Sequence, residues 1–313
     1  MSPFFSIVVP VYNQIGKMEL CIESLKSQTF GDFEVIFVDD ASTDGSYEFL
    51  RRVEEEDTRF HTVRHKKNSS VLAARYTGMR RAKGKYLLFV DSDDSISANA
   101  CQILYERIQK EPADILLFGA VMIPSMVTVA AQKEEPIRTC FNSIGLPSVW
   151  KNCYSRKVIT KSLERFEPFY CNIGEDSYMC CVLFSCAETF ARMEEILYYY
   201  IEGQGMSAAI ENSLESTAQD LQYAETAGEH IMKYVREYIP QYSDLAERKT
   251  EDIVRFVLFR HVYFEEDWSN VFKYMELFNN EKHKKAFEYG CKKLFPAKVK
   301  HSMGMKVMET DLQ

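Results

Sequence analysis

Several classes of protein are excluded by what this chain has little of. Nine prolines and thirteen glycines in 313 residues exclude a fibrous or low-complexity chain. No excess of positive charge is present. Thirty-eight Lys and Arg against 46 Asp and Glu leave a net charge of −8, which argues against a whole-protein electrostatic footprint for nucleic acid. There is no C-x-x-C pair. Nine cysteines, an odd number scattered from Cys21 to Cys291, suit buried free thiols better than a disulfide framework or a zinc knuckle. Long apolar runs are missing too. The longest uncharged stretch, Ile115 to Ala131, is interrupted by Gly119, Pro124, Ser125 and Thr128, and reads as a strand and a loop rather than a membrane span. Met1-Ser2-Pro3-Phe4-Phe5 carries no basic leader or small-residue cleavage site, so no secretory signal and a cytoplasmic, reducing location are expected.

What is present is enough apolar material, 46% of residues, for one large domain with an appendage. Ser6 to Tyr12 is a short β-branched run, and Lys17 to Gln28 then places Met18, Cys21, Ile22 and Leu25 at helical spacing. The unit recurs as strand Glu34 to Val38 with helix Ser46 to Glu55, strand Phe60 to Arg64 with helix Val71 to Lys83, and strand Tyr86 to Val90 with helix Ala98 to Lys110. Asp114 to Phe118 makes a fifth strand. Such alternation implies an α/β fold with a mostly parallel sheet and helices on both faces. Gly84 fits a left-handed helix-ending position. From about residue 211 the pattern turns to long helical stretches, Ala218 to Tyr238 and Thr250 to Phe264, so residues 1–210 read as one domain and 211–313 as a helical appendage. Its lysine-rich tail, Lys282 to Lys306, reads as a solvated basic face on a packed helix or as a surface for an anionic membrane, and the 211–313 region as a whole offers a contact for a second copy.

Ligands of an open parallel sheet bind beyond the carboxyl ends of the strands, where the strand order reverses. There the strand Leu87-Leu88-Phe89-Val90 delivers Asp91, Asp93 and Asp94 within four residues. Carboxylates so close repel one another, and a hard divalent cation such as Mg²⁺ or Mn²⁺, which shares its shell with substrate phosphates, would neutralise them. The competing reading is a polar loop that caps the next helix through Ser95 or Ser97. Val38-Asp39-Asp40-Ala41-Ser42-Thr43-Asp44-Gly45 is a second acidic strand end. Asp44 or Ser42 could serve as an N-cap there, while two consecutive aspartates could accept hydrogen bonds from a base N–H or from ribose hydroxyls. Glu175 and Asp176 stand at the start of a further helical segment, where first-turn acidity alone would account for them.

Taken in order, S-I-V-V-P-V-Y-N (6–13), V-D-D-A-S-T-D-G-S (38–46), A-A-R-Y-T-G (73–78), A-K-G-K-Y (82–86), V-D-S-D-D (90–94), S-V-W-K-N-C-Y-S-R (148–156) and G-E-D (174–176) resemble the inverting family 2 glycosyltransferases of GT-A fold. The resemblance implies a nucleotide-sugar donor held by Pro10, Tyr12, Asn13, Asp39, Asp40, Arg75, Asp91, Ser92 and Asp93. In it Asp40 matches the aspartate that reads a uracil ring, and Arg75 a nucleotide contact. Asp91 and Asp93 match the pair that engages ribose and the divalent cation, Mn²⁺ or Mg²⁺, with Asp94 sharing that task. Asp176 is implied as the general base, with Glu175 beside it. The expected acceptor is a saccharide or lipid-linked saccharide of a bacterial surface polysaccharide, assembled at the inner face of the membrane.

Two segments depart from the family pattern. Asn68-Ser69-Ser70-Val71 replaces a glycine-containing turn, and Tyr198-Tyr199-Tyr200-Ile201 lacks the arginine that often follows the tyrosine, before a lid-like stretch at Gly203, Gln204 and Gly205. Trp150 reads equally as a sugar-stacking ring or as core. Two other functions fit parts of the pattern less well. Asp91-Ser92-Asp93-Asp94-Ser95 also resembles the phosphatase signature of haloacid-dehalogenase enzymes, with Asp91 as covalent nucleophile, but that signature sits on a first strand and would leave Asp39 and Asp40 idle. A non-catalytic sugar-nucleotide scaffold could dispense with Asp176 and the acidic cluster, and both remain.

Overall fold

The computed structural model describes residues 2–129, 135–142, 147–204 and 213–263. The Lys282 to Lys306 tail, Gly205 and Cys291 lie outside the described residues. The chain divides into two compact units, Met1–Ala209 and Ile210–Gln313.

In the first unit the order is β1 (Phe5–Val11), α1 (Glu19–Lys26), β2 (Phe33–Asp39), α2 (Ser46–Glu56), β3 (Phe60–Arg64), α3 (Val71–Arg81), β4 (Tyr86–Phe89), β5 (Ser95–Ile96), α4 (Ala100–Lys110) and β6 (Ile115–Ile123). It continues with β7 (Thr128–Val129), α5 (Pro136–Asn142), β8 (Asn152–Ser155), α6 (Arg156–Arg165), α7 (Glu175–Ser185) and β9 (Phe190–Ile201). Among the described residues one sheet runs β3-β2-β1-β4-β8-β6-β9-β5, with β7 paired to β6. The first four neighbours are parallel. Beyond β4 the sheet is mixed, because β8 runs antiparallel to both β4 and β6. The chain builds outward from β1 to β3 and then returns to place β4 on the other side of β1. That reversal puts the switch-point crevice at the ends of β1 and β4.

β1 and β2 are buried at every residue, as strands covered on both faces must be. Phe5, Ile7 and Val9 of β1 share one core with Cys21, Ile22 and Leu25 of α1, Leu50 of α2 and Leu104 of α4. Val8, pointing the other way, lies under α3, so close that a Cβ on Gly78 would fall 2.2 Å from its Cγ1. Among the described residues eight cysteines are buried free thiols. Among the described residues no helix is long and apolar enough to cross a membrane.

Three local expectations change. Gly84 does not end a helix in the left-handed region, since α3 stops at Arg81 and its cap is Ala82 with an extended ψ. Glycine is needed at position 84 because a Cβ there would lie 2.5 Å from the Ser6 nitrogen and 2.6 Å from the Phe5 carbonyl carbon. Neither Ser95 nor Ser97 caps α4, and neither Ser42 nor Asp44 occupies the N-cap of α2, which is Gly45 at φ 96°. The short β5 escaped the sequence reading because two residues carry no period. The fifth strand runs on to Ile123, through an irregularity at Gly119.

The second unit holds α8 (Leu214–Tyr238) and α9 (Ser243–Tyr263), joined by a turn at Pro240–Tyr242. Ser213 and Ser216 cap α8 reciprocally. Apolar residues at helical spacing, Leu221, Ala224, Ile231 and Val235 on α8 and Ile253, Val254 and Val257 on α9, are buried.

Candidate functional site

The loops after β1 and β2 are stitched together by side chains. The Asn13 N–H donates to Ser42 Oγ at 2.9 Å, the Thr43 N–H to Asn13 Oδ1 at 2.9 Å and the Ile15 N–H to Asp44 Oδ2 at 3.0 Å. Asp44 joins the two loops through Oδ2 and, through Oδ1, accepts the Ser46 N–H at 3.0 Å in the first turn of α2. Asn13 adopts φ 51°, a conformation asparagine tolerates better than most residues, and leaves the Tyr12 ring 46% exposed beside it. Pro10 is accommodated inside β1 because its missing donor faces the side where the ladder with β4 has already ended.

The two aspartates after β2 have different surroundings. Asp40 is saturated by the protein, accepting from His65 Nδ1 at 2.7 Å, from the Ser69 N–H at 2.9 and 3.0 Å and from the Ser70 N–H at 2.8 Å. His65 in turn meets Thr77 Oγ1 through Nε2 at 2.8 Å. Asp40 thus holds the 68–70 turn. Asp39 is fully buried, and one of its oxygens pairs with Arg64 Nε at 3.2 Å and the Ser42 N–H at 3.3 Å. Its Oδ1 has no partner, and burial pushes its pKa above the ordinary carboxylate value. Of the two, Asp39 keeps the free acceptor.

At the end of β4 the acidic residues also separate. Asp94 turns inward, where Tyr198 Oη donates to Oδ2 at 2.6 Å and the Ile201 N–H to Oδ1 at 2.8 Å. Burial and then Asp91 push its pKa up to about 8. These bonds give Asp94 a structural task, tying the acidic turn to the end of β9. The same Tyr198 hydroxyl accepts the Asp91 N–H at 3.1 Å. Ser92 is buried, while Asp91 and Asp93 stay partly open. Burial, then the charge of Asp91, raise Asp93 to about 6, and the exposed Lys17 opposes that rise. Trp150 stacks on Tyr198 at 4.4 Å between centroids and on Tyr200 at 5.8 Å, so its ring is packing against β9.

Arg75, on α3, links the turn after β4 to α7. Its Nη2 donates to Asp91 Oδ1 at 2.8 Å and its Nη1 to Asp176 Oδ1 at 2.6 Å, with Glu175 Oε1 at 3.7 Å. Burial alone would disfavour the charge, but Asp176, Asp91 and Glu175 together hold the guanidinium firmly protonated. Three carboxylates share one cation. Glu175 and Asp176 accordingly both have raised pKa values, chiefly from burial; Asp176 reaches about 6, and Arg75 keeps it from rising further. Gly174, left-handed at φ 83°, sets the entry into α7 that puts both acids in its first turn.

No group of three or more carboxylate, imidazole or thiolate residues forms a complete metal cage among the described residues. With Asp94 withdrawn, Asp91 and Asp93 remain as a pair of hard oxygen ligands. A small divalent ion that keeps its other positions for waters and phosphate oxygens fits such a pair. Sequence reasoning missed His65 and Lys17, which belong to no recognisable motif, and it noted Tyr198 without its hydroxyl's bonds to Asp94 and Asp91, which come from another element.

The chain matches the family model described as Glycosyl transferase family 2 over residues 6–173. It is 29% identical over 256 residues to the uncharacterized glycosyltransferase EpsJ of Bacillus subtilis, covering 78% of this chain and 71% of that protein. It is 38% identical over 115 residues to the poly(ribitol-phosphate) beta-glucosyltransferase of Bacillus spizizenii, covering 36% of this chain and only 18% of that one. Among solved structures, S. aureus TarS 1-349 in complex with UDP-GlcNAc shares the fold at a TM-score of 0.62 and 18% identity, with 98% of this chain and 93% of that chain covered.

Proposed function

The chain belongs to glycosyl transferase family 2, and from that premise we propose that it transfers a sugar from a UDP-sugar to an acceptor hydroxyl with inversion, using Asp176 as general base. The observation that carries the reading is the placement of Asp176 and Asp91 on the two ends of one guanidinium, at 2.6 and 2.8 Å. A base for the acceptor and a carboxylate for the donor are thereby held across the switch-point crevice. Support for uridine comes from the UDP-GlcNAc complex of TarS. Support for a surface-polymer acceptor comes from the poly(ribitol-phosphate) beta-glucosyltransferase.

In this reading the base and ribose meet the exposed Tyr12 ring and Asn13 beside the acidic end of β2, while Asp40 shapes the adjoining turn. The acceptor oxygen attacks the anomeric carbon, and the bond from that carbon to the diphosphate oxygen breaks. Asp176 takes the acceptor's proton, and the electron pair leaves on the nucleoside diphosphate. One displacement with one base inverts the anomeric centre. Asp91 and Asp93 are the residues that would hold Mn²⁺ or Mg²⁺, which supplies charge stabilisation for the leaving diphosphate. Lys17 adds positive charge on the same side. The acid displaced from direct action, Glu175, retains a proton more readily than Asp176, which suits a neighbour that orients the base.

The phosphatase reading is disfavoured because Asp91 is tied to Arg75 at the fourth strand in chain order, not free at the first. The test is thermal stability against UDP, GDP, CDP and dTDP, each with Mn²⁺, Mg²⁺ or chelator, repeated on Asp93→Ala. Binding to the native state must raise apparent stability by mass action. A shift with UDP that needs the cation and vanishes in Asp93→Ala supports the reading; no shift with any nucleotide in well-folded protein overturns it.

A further inference from the structure

Two carboxylates that hold one small cation are only as well spaced as the backbone that carries them. Asp91 and Asp93 sit on a four-residue turn, closed by the Asp94 N–H donating to the Asp91 carbonyl at 3.1 Å. One hydroxyl spans that turn. Tyr198 Oη accepts the Asp91 N–H at 3.1 Å and donates to Asp94 Oδ2 at 2.6 Å, so a single atom from β9 engages the first and last residues of the turn. The hydroxyl thereby uses its proton on Asp94 and a lone pair on Asp91.

The ring that carries this hydroxyl is itself fixed. Tyr198 is fully buried, and Trp150 stacks on it with centroids 4.4 Å apart and 21° between the planes. Its backbone lies in β9, opposite Ile96 of β5 on one side and Ala120 of β6 on the other. The carboxylate that receives the hydroxyl proton also accepts the Ile201 N–H at 2.8 Å, three residues further along β9. The clamp closes from both directions, ring onto turn and turn onto strand. Asp91 is gripped twice, by Tyr198 at its N–H and by Arg75 at its carboxylate. Asp93 takes its place from the buried Ser92 and the clamped Asp94 on either side of it.

Without the hydroxyl, a backbone donor and a buried carboxylate oxygen would both lose their partner, and the turn would have to shift to satisfy them. A small divalent ion tolerates little error in ligand spacing, and groups that hold its ligands from behind govern affinity by about 10–100-fold. We propose that Tyr198 is a positioning residue for the cation site, its hydroxyl setting the spacing of Asp91 and Asp93 by clamping the turn that carries them. The proposal rests on the reading of those two aspartates as the residues that would hold Mn²⁺ or Mg²⁺.

The experiment uses the full chain as wild type, Tyr198→Phe, Asp94→Asn, Asp93→Ala and Tyr86→Phe. Tyr198→Phe keeps the ring and its stacking on Trp150 and removes only the hydroxyl. Tyr86→Phe is the control for loss of a tyrosine hydroxyl inside the same unit, since Tyr86 Oη donates to the Ala113 carbonyl at 3.1 Å from the opposite end of β4. Thermal stability is followed at fixed UDP while Mn²⁺ is titrated, and the Mn²⁺ concentration that gives half the stabilisation is read. In Tyr198→Phe that concentration should rise about 10-fold or more. In Tyr86→Phe it should stay within about twofold of wild type, whatever either change does to the ligand-free melting temperature. A rise of less than about threefold in Tyr198→Phe overturns the proposal, and so does an equal rise in Tyr86→Phe. Should Tyr198→Phe not fold, Asp94→Asn, which replaces the acceptor of the same hydroxyl, is read by the same criterion. The cation reading fails separately, through a wild type without Mn²⁺-dependent stabilisation or an Asp93→Ala variant that keeps it.

Discussion

Ser70 offers a test in which a substitution at the site should strengthen the protein. The residue sits at φ 84° and ψ 159°, a region essentially reserved for glycine, directly before α3. Its N–H is committed to Asp40 Oδ2 at 2.8 Å, so the backbone is held there. Its hydroxyl is buried without a partner. A side chain in that region stores about 1–3 kcal/mol of strain. Replacement by glycine releases it, against about 0.5–1 kcal/mol for the extra freedom of glycine in the unfolded chain. Ser70→Ala removes the hydroxyl and keeps the Cβ, so the difference between the glycine and alanine variants isolates the strain. That difference should be about 1–2 kcal/mol in favour of glycine. For a unit of this size each kcal/mol moves the midpoint by about 2–4 °C. The assay is thermal and urea unfolding of Ser70→Gly, Ser70→Ala and wild type, followed through the transition of the first unit. If Ser70→Gly proves no more stable than Ser70→Ala, the account of this turn as a strained one held by Asp40 is wrong.

Three further outcomes follow from other parts of the first unit. Gly84→Ala should destabilise the first unit by about 3 kcal/mol or more, because the new Cβ meets β1 backbone at 2.5 and 2.6 Å rather than a movable side chain, and chemical denaturation showing less than about 1 kcal/mol would contradict that contact. Turnover should have an acid limb: Asp176 must be ionised to accept a proton, so kcat/KM falls as the pH drops through about 6, and a profile flat from pH 8 to 5 would remove Asp176 from the base role. Stability moves the opposite way. A folded pKa raised above the unfolded value means that the native state binds the proton more tightly. Asp176 and Asp93 thus add stability as the pH falls through about 6 toward the ordinary carboxylate range, and withdraw it as the pH rises, which ligand-free melting between pH 7.5 and 5 would show.

Periodicity along the chain was sufficient to place the strand–helix units that make up the left half of the sheet, because each buried strand and each one-sided helix writes its own local pattern. The acidic strand ends were equally legible: a run such as Leu87 to Val90 must be followed by whatever the crevice requires, and Asp91 to Asp94 follow it. The crossing of β8 between β4 and β6 was not legible, since four buried residues carry no direction.

Within the site, residue types were readable and their tasks were not. Asp39 and Asp40 are neighbours of identical chemistry, yet one keeps an unpartnered oxygen and the other is filled by His65, Ser69 and Ser70. Asp94 belongs to the same tetrad as Asp91 and Asp93, but Tyr198, 104 positions on, removes it from the crevice. Arg75 lies at the expected site, and its carboxylate partners Asp91 and Asp176, 16 and 101 positions away, had no signal in the chain. Gly84 was chosen for its conformational freedom, whereas its reason is a backbone passing at van der Waals limit. The sequence by itself determined the strands and helices of the repeated units up to α4, and which chemistry collects at their ends, because those depend on spacing along the chain. Only the tertiary structure decided which carboxylate is solvent-facing and which is spent, because a buried polar group takes its partner from whatever the packing brings within 3 Å, and that neighbour has no fixed separation in sequence.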